Sequence, residues 1–232
     1  MSTVSALWMK PRDAFASFVF AHGAGAGMGH PFMEAVASGL YKRRIATLRY
    51  QFPYMERGRG RPDVPRTAHA TVRAAGAEAA RLGPDLPIIA GGKSFGARMT
   101  SQAQAARPLA AVKGLCFFGF PLHPAGKPSD ARGKHLSDIH VPMLFLQGDR
   151  DKLAELSLVQ QVGRRLGERA ALRIVEHTDH SFTCQCGRER QTARSWRGCS
   201  TSLPHGWERL RRRTSVGTDD RDGKCAVGIR RA

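Results

Sequence analysis

Apolar residues along this chain fall into short runs and helical stripes, and the two kinds alternate. Residues 17–21 form a brief apolar run that ends in a glycine-rich stretch, His22-Gly23-Ala24-Gly25-Ala26-Gly27. Residues 31–42 follow with proline in the first turn and Phe32, Val36 and Leu40 along one face, which predicts a helix. Residues 45–50 read as a strand, and residues 51–65, rich in Gly, Pro and Arg, as a loop. The alanine-rich stretch 67–82 is helical and is stopped by Gly83-Pro84. Residues 87–91 give a short buried strand, 94–106 a helix, and 112–118 a strand apolar on both faces. A Pro- and Gly-rich connection, 121–133, leads to a strand at 141–147, a helix at 153–166 and a last strand at 172–175. Strands alternating with helices of this length predict an α/β fold. Right-handed βαβ units would build a mostly parallel sheet with helices on both faces.

Size and composition narrow the class. At 232 residues and 41% hydrophobic, the chain can bury one substantial core. No apolar run reaches the length of a membrane span. The first twelve residues lack a basic segment followed by an apolar one, so no secretory signal is expected and the cytoplasm is the expected location. The net charge of +18 suggests nucleic acid at first, but its distribution does not. Residues 1–182 carry 25 basic and 14 acidic groups, scattered, and no basic helix or aromatic-interleaved stripe gathers them. A solvated arginine-rich surface is the expectation, with no specific nucleic-acid partner. Of five cysteines only Cys116 precedes residue 184; it sits in an apolar run and reads as a small buried hydrophobe in a reducing compartment.

The chemistry centres on Gly92-Lys93-Ser94-Phe95-Gly96, a G-x-S-x-G between a predicted strand and a predicted helix. A nucleophilic serine needs such a strained strand-to-helix turn, with small neighbours where backbones pass closely. Two phosphate-binding readings fail. A P-loop would need glycine where Pro87 stands, and a dinucleotide fingerprint would need glycine at Met28 or His30. The glycine-rich stretch instead suits an oxyanion hole, with one N–H from Phe95 and the other from Ala24, or from Gly25 next in line. Lys93 and Arg98 flank the serine and read as solvated charges, the alternative being a preference for anionic substrates.

An acid is expected where the strand 141–147 runs into Gly148-Asp149-Arg150-Asp151, at the carboxyl end of the sheet. Asp151 is the first candidate and Asp149 the second; the competing role for Asp151 is to cap a helix starting near Lys152. Among nine histidines, His180 stands in a polar loop after the last strand, whereas His22, His30, His69, His123, His135 and His140 precede the acid and read as surface or loop residues. The order Ser94, Asp151, His180 is that of α/β-hydrolases and differs from the chymotrypsin and subtilisin orders.

Four segments, beginning at His22, Gly92, Gln147 and Asp179, resemble the small α/β-hydrolases related to dienelactone hydrolase. They are most similar to the branch that includes testis-expressed protein 30. The resemblance covers residues 17–182 and implies an α/β-hydrolase fold, a minimal cap and a Ser-Asp-His triad. It implies a serine hydrolase acting on a small ester-like substrate, with no metal or cofactor. The alternative is a non-catalytic scaffold of the same fold that binds a protein partner.

Residues 183–232 differ in character, with 12 basic and 5 acidic groups and only five Leu, Ile, Val or Phe. That composition predicts a tail of low order. Cys184, Cys186 and Cys199 lack the paired spacing of a zinc site. Back-translation with one nucleotide restored after Phe182 turns residues 193–207 into an amphipathic helical pattern, so a frameshift at that point is the expectation, leaving an apolar sheet face uncovered.

Overall fold

The computed structural model describes residues 3–183 and 223–230. Its frame is a single sheet flanked by helices. In chain order the elements are β1 (Thr3–Lys10), β2 (Ala16–Ala21), α1 (Pro31–Tyr41), β3 (Ile45–Tyr50), α2 (Pro53–Glu56) and α3 (Pro65–Leu82). They continue with β4 (Ile88–Lys93), α4 (Phe95–Ala106), β5 (Val112–Phe118), β6 (Met143–Gly148), α5 (Leu156–Leu166), β7 (Ala170–Val175) and β8 (Gly223–Arg230). The sheet order is β7-β6-β5-β4-β2-β3-β1-β8. Strands β2 to β7 pair in parallel, while β1 runs antiparallel to both β3 and β8.

Side chains alternate across the strands and divide the core in two. Phe117 points into one layer and Phe118 into the other. The larger layer joins Leu48, Tyr50, Phe117 and Phe145 to Val72 of α3, Met99 of α4 and Val159 of α5. In α3 the buried set Ala68, Thr71, Val72, Ala75 and Ala79 recurs at helical spacing, and its small residues let the helix lie close to α4 and the sheet. The second layer packs Phe18, Phe20 and Phe118 against Met33 and Val36 of α1. Helices on both faces thus make the predicted doubly covered, mostly parallel sheet.

Between β5 and β6 the described chain has only a 3₁₀ segment, Ala131–Asp138, whose buried Gly133 and Leu136 face α4 and α5. This is the minimal cap that the resemblance implies.

Three expectations need correction. Strand β1 was not foreseen, although Val4, Ala6 and Trp8 bury every second residue along it. The loop 51–65 holds the short helix α2, opened by Pro53. Helix α5 starts at Leu156, after Glu155, so Asp151 does not cap it.

Strand β8 falls within residues 183–232 and pairs with β1 along its full length, from Thr3↔Arg230 to Lys10↔Gly223. An edge strand offers an unpaired row of N–H and C=O groups, and an alternating eight-residue segment satisfies it. Residues 184–222, with the cysteines Cys184, Cys186 and Cys199 and the helical pattern behind the frameshift reading, lie outside the described residues.

Candidate active site

Ser94 is the single residue between β4 and α4, with φ +51° and ψ −110°. A side chain rarely adopts that backbone, and the cost is met by what surrounds it. Its N–H donates to the carbonyl of Phe118 at 3.0 Å, and its carbonyl accepts from Arg98 N at 3.1 Å. Glycines on either side make the turn possible. A Cβ at Gly92 or at Gly96 would stand 2.6 Å from the carbonyl oxygen of Ala21. The turn therefore presses directly on the end of β2 and lifts the serine hydroxyl above the carboxyl edge of the sheet.

His180 reaches that hydroxyl from the loop after β7. Its Nε2 lies 2.8 Å from Ser94 Oγ, and its Nδ1 lies 2.7 Å from Asp151 Oδ2. With Asp151 ionised, Nδ1 carries the proton and donates, which leaves the Nε2 lone pair facing the serine. The loop is tightly built. Asp179 Oδ1 accepts from Ser181 N at 2.9 Å and Thr183 N at 3.0 Å, and its carbonyl accepts from Phe182 N. Phe182 is buried at φ +61°, its ring 5.6 Å from that of Phe32 on α1.

Asp151 is fully buried at its side chain, whereas the His180 side chain keeps 23% of its exposure. Its Oδ1 accepts from Leu153 N at 2.8 Å, and Gln147 Nε2 donates to its Oδ2. The second candidate, Asp149, lies elsewhere. Its Oδ1 accepts from Thr178 N at 3.1 Å, so it braces the backbone leading to His180. Slight burial pushes the Asp149 carboxyl up, but hydrogen bonds from the backbone of His177 and Thr178 outweigh it and hold the group below the ordinary carboxylate range.

The glycine-rich loop borders the serine from the other side. A Cβ at Gly23 would lie 3.8 Å from that of Ser94. Tyr54 Oη donates to the carbonyls of Ala24 at 2.9 Å and Gly23 at 3.2 Å. His22 Nδ1 donates to the Gly23 carbonyl at 2.7 Å, and its Nε2 accepts from Phe52 N at 2.9 Å. Burial drives the His22 pKa down to about 4, against smaller opposing contributions from the backbone of Gly23 and Ala26. Burial also raises the Tyr54 phenol above its ordinary value. Phe95, first residue of α4, is buried against Phe52 and Tyr54.

The structure thus brings together Ser94, Asp151, His180, Phe95 and the Gly23–Ala24 turn, and keeps Asp149 apart from the imidazole. Other expectations change. His22 and His123 are buried, and both hold backbone groups through their rings. Lys93 is half-buried, its ammonium donating to the His180 carbonyl. Gln147 and Tyr54 were not singled out as site residues. Each is a polar group next to apolar neighbours, which is the signal that would have found them. Cys116 is buried, as expected. Among the described residues no group of three or more His, Cys, Asp or Glu side chains is arranged to hold a metal. No described helix is long and apolar enough to cross a membrane.

A family model described as an alpha/beta hydrolase domain matches residues 14–203. The chain belongs to the alpha/beta hydrolase family. The match runs past Phe182, where the resemblance read from the sequence stops. Among curated proteins no sequence matches.

Solved structures share the hydrolase fold at low identity. Dienelactone hydrolase from Anabaena variabilis is 19% identical with a TM-score of 0.67, covering 85% of this chain and 89% of its own. An alpha-beta serine hydrolase homologue from Coxiella burnetii is 16% identical with a TM-score of 0.66, over the same 85% and 89%. A serine hydrolase without a lid from Xanthomonas campestris is 21% identical with a TM-score of 0.64, covering 87% and 90%.

Proposed function

We propose that this chain is a serine hydrolase that cleaves a carboxylic ester-like bond, with Ser94 as nucleophile, His180 as base and Asp151 as the acid that orients it. One observation carries the reading: a continuous hydrogen-bonded line from Asp151 Oδ2 through His180 to Ser94 Oγ, at 2.7 and 2.8 Å, ending on a serine at positive φ. A binding scaffold has no use for that strain.

His180 Nε2 takes the proton as Ser94 Oγ attacks the carbonyl carbon, and the carbonyl π electrons move onto oxygen. The oxyanion faces the N–H groups of Phe95 and Ala24. Phe95 suits this role because the first N–H groups of a helix have no intrahelical acceptor. Ala24 suits it because its carbonyl is tied to Tyr54, on a turn that lies against Ser94. Collapse of the adduct breaks the bond to the leaving alkoxide, which receives the proton held on His180. Water then repeats the sequence on the acyl-enzyme, delivering its proton to His180, and Ser94 recovers it as the carboxylic acid departs. No step needs a metal or cofactor.

Within the family we place the chain nearest the testis-expressed protein 30 branch, on the four segments quoted above. We place it in the cytoplasm, which a body with a single cysteine before residue 184 supports. The test is covalent: a fluorophosphonate probe labels Ser94 of the full chain, and a short p-nitrophenyl ester is hydrolysed by it and not by Ser94→Ala. Equal rates in the two proteins would favour a scaffold that binds a protein partner.

A further inference from the structure

We propose that Lys93 is a positioning residue for His180: its ammonium clamps the loop that carries the imidazole and so sets the approach of Nε2 to Ser94. The proposal rests on the hydrolase reading of Ser94.

Lys93 is the last residue of β4 and the immediate neighbour of Ser94, where a lysine side chain is free to run to solvent. It does not. Nζ donates to the backbone carbonyl of His180 itself. The same nitrogen sits 5.1 Å from the ring centroid of Phe182 and 5.7 Å from that of Phe32, within the range of cation–π attraction. The two rings lie 33° from coplanar, so the ammonium meets an aromatic wall on one side and a carbonyl on another.

Gly119, at φ +62°, opens the path: a Cβ there would stand 3.0 Å from Nζ and 3.4 Å from His180 Nδ1. The ionisable groups facing the ammonium are Asp151 after β6 and Asp179 and His180 after β7, while Gly119 just after β5 and Phe32 of α1 contribute no charge. One cation therefore links the nucleophile's strand, the base's carbonyl and the Phe182 anchor at the end of the base's loop. An uncharged side chain of similar length fills the space but provides no donor for the carbonyl and no cation for the rings.

The clamp weakens when the ammonium loses its proton. Burial lowers the Lys93 pKa to about 8, with Asp151 and Asp179 pulling it partly back up. Loss of the clamp on that side of neutrality lowers turnover rather than substrate binding, because it moves a group that works in the transition state.

The experiment follows fluorophosphonate labelling of Ser94, together with kcat and KM on a p-nitrophenyl ester, from pH 6 to 10. It compares the full-length wild type with Lys93→Met and Lys93→Arg, each checked for a cooperative melt. Lys93→Met is expected to label and turn over roughly 10–100-fold more slowly with KM little changed, the scale of loss for a misplaced reacting group. Lys93→Arg is expected to recover most of the rate and to move the alkaline fall to higher pH. A folded Lys93→Met with the wild-type rate and pH profile overturns the clamp and leaves the hydrolase reading standing. If Lys93→Met does not fold, an unmoved alkaline fall in Lys93→Arg overturns it instead. A wild type that neither labels nor turns over defeats both.

Discussion

Gln147 and His180 share one oxygen of Asp151: the amide Nε2 of Gln147 and the imidazole Nδ1 of His180 both donate to Oδ2, at 2.5 and 2.7 Å. Gln147 also accepts from Phe120 N at 2.9 Å through its own carbonyl. A single buried amide therefore joins the start of the β5–β6 connection to the acid. Gln147→Leu leaves the Phe120 N–H unpaired and is expected to cost about 1–3 kcal/mol of stability. It should also slow turnover, because Asp151 loses one of its two fixed donors besides His180. Urea melts and ester kinetics on the variant check both, and unchanged stability would contradict the account.

The two aspartates should separate by what they damage. Asp151→Asn removes the acceptor that fixes the His180 tautomer, and a loss near 10⁴-fold in kcat is the expected scale. Asp149→Asn keeps that line intact and weakens the backbone bond to Thr178, so stability should suffer more than turnover. The Asp149 pKa is lowered in the folded state. Its stabilisation is therefore present above the unfolded carboxylate pKa and lost as pH falls through the folded one. Comparing kcat and melting curves for the two variants distinguishes the roles.

His22 predicts a different acid response. Its folded pKa of about 4 lies below the ordinary histidine value of 6.5. The neutral ring is thus the folded form, and protonation opposes folding. Its contribution is whole above pH 6.5 and declines as pH falls toward 4, by about 3 kcal/mol at the end of that window. The nitrogen shifts of His22 should show a neutral ring, protonated on Nδ1, at pH 5, where an exposed histidine is already charged. A ring fully protonated at pH 6 would contradict the burial argument.

Gly96→Ala tests the turn beneath the serine. The new Cβ would meet the carbonyl oxygens of Ala21 and His22, both at 2.6 Å, and backbone atoms cannot move aside as a flexible side chain can. Overpacking of this kind costs about 1–3 kcal/mol, and the shift needed to relieve it tilts α4 and its first N–H groups. Loss of fluorophosphonate labelling together with a lowered melting midpoint is expected. A variant with wild-type labelling would mean the contact relaxes without moving Ser94.

Strand β8 predicts protection on β1. Amides of Thr3 to Lys10 that face β8 should exchange slowly in the full chain and fast once residues 223–232 are removed, because deletion restores an open edge. Equal exchange in the two chains would mean the β1–β8 pairing does not persist in solution.

Much of this was written in the sequence. The alternation of short apolar runs with helical stripes determined a parallel sheet covered on both faces, since each element must bury its apolar side. Five glycine or alanine residues after β2 and the G-x-S-x-G after β4 marked the tight turns, because only small residues allow backbones to pass so closely. The chain order of Ser94, Asp151 and His180 followed from where strands end.

What the sequence did not decide was contact between residues far apart in the chain. Nothing local distinguishes Asp151 from Asp149; the register of β6 beside β7 places one under the imidazole and the other against Thr178. Lys93 reads as a surface charge until Phe32, Phe182 and the His180 carbonyl close around it from three segments. Local propensity reaches only a few residues along the chain, whereas burial and hydrogen-bond partners are set by packing, which exists only once the sheet has formed.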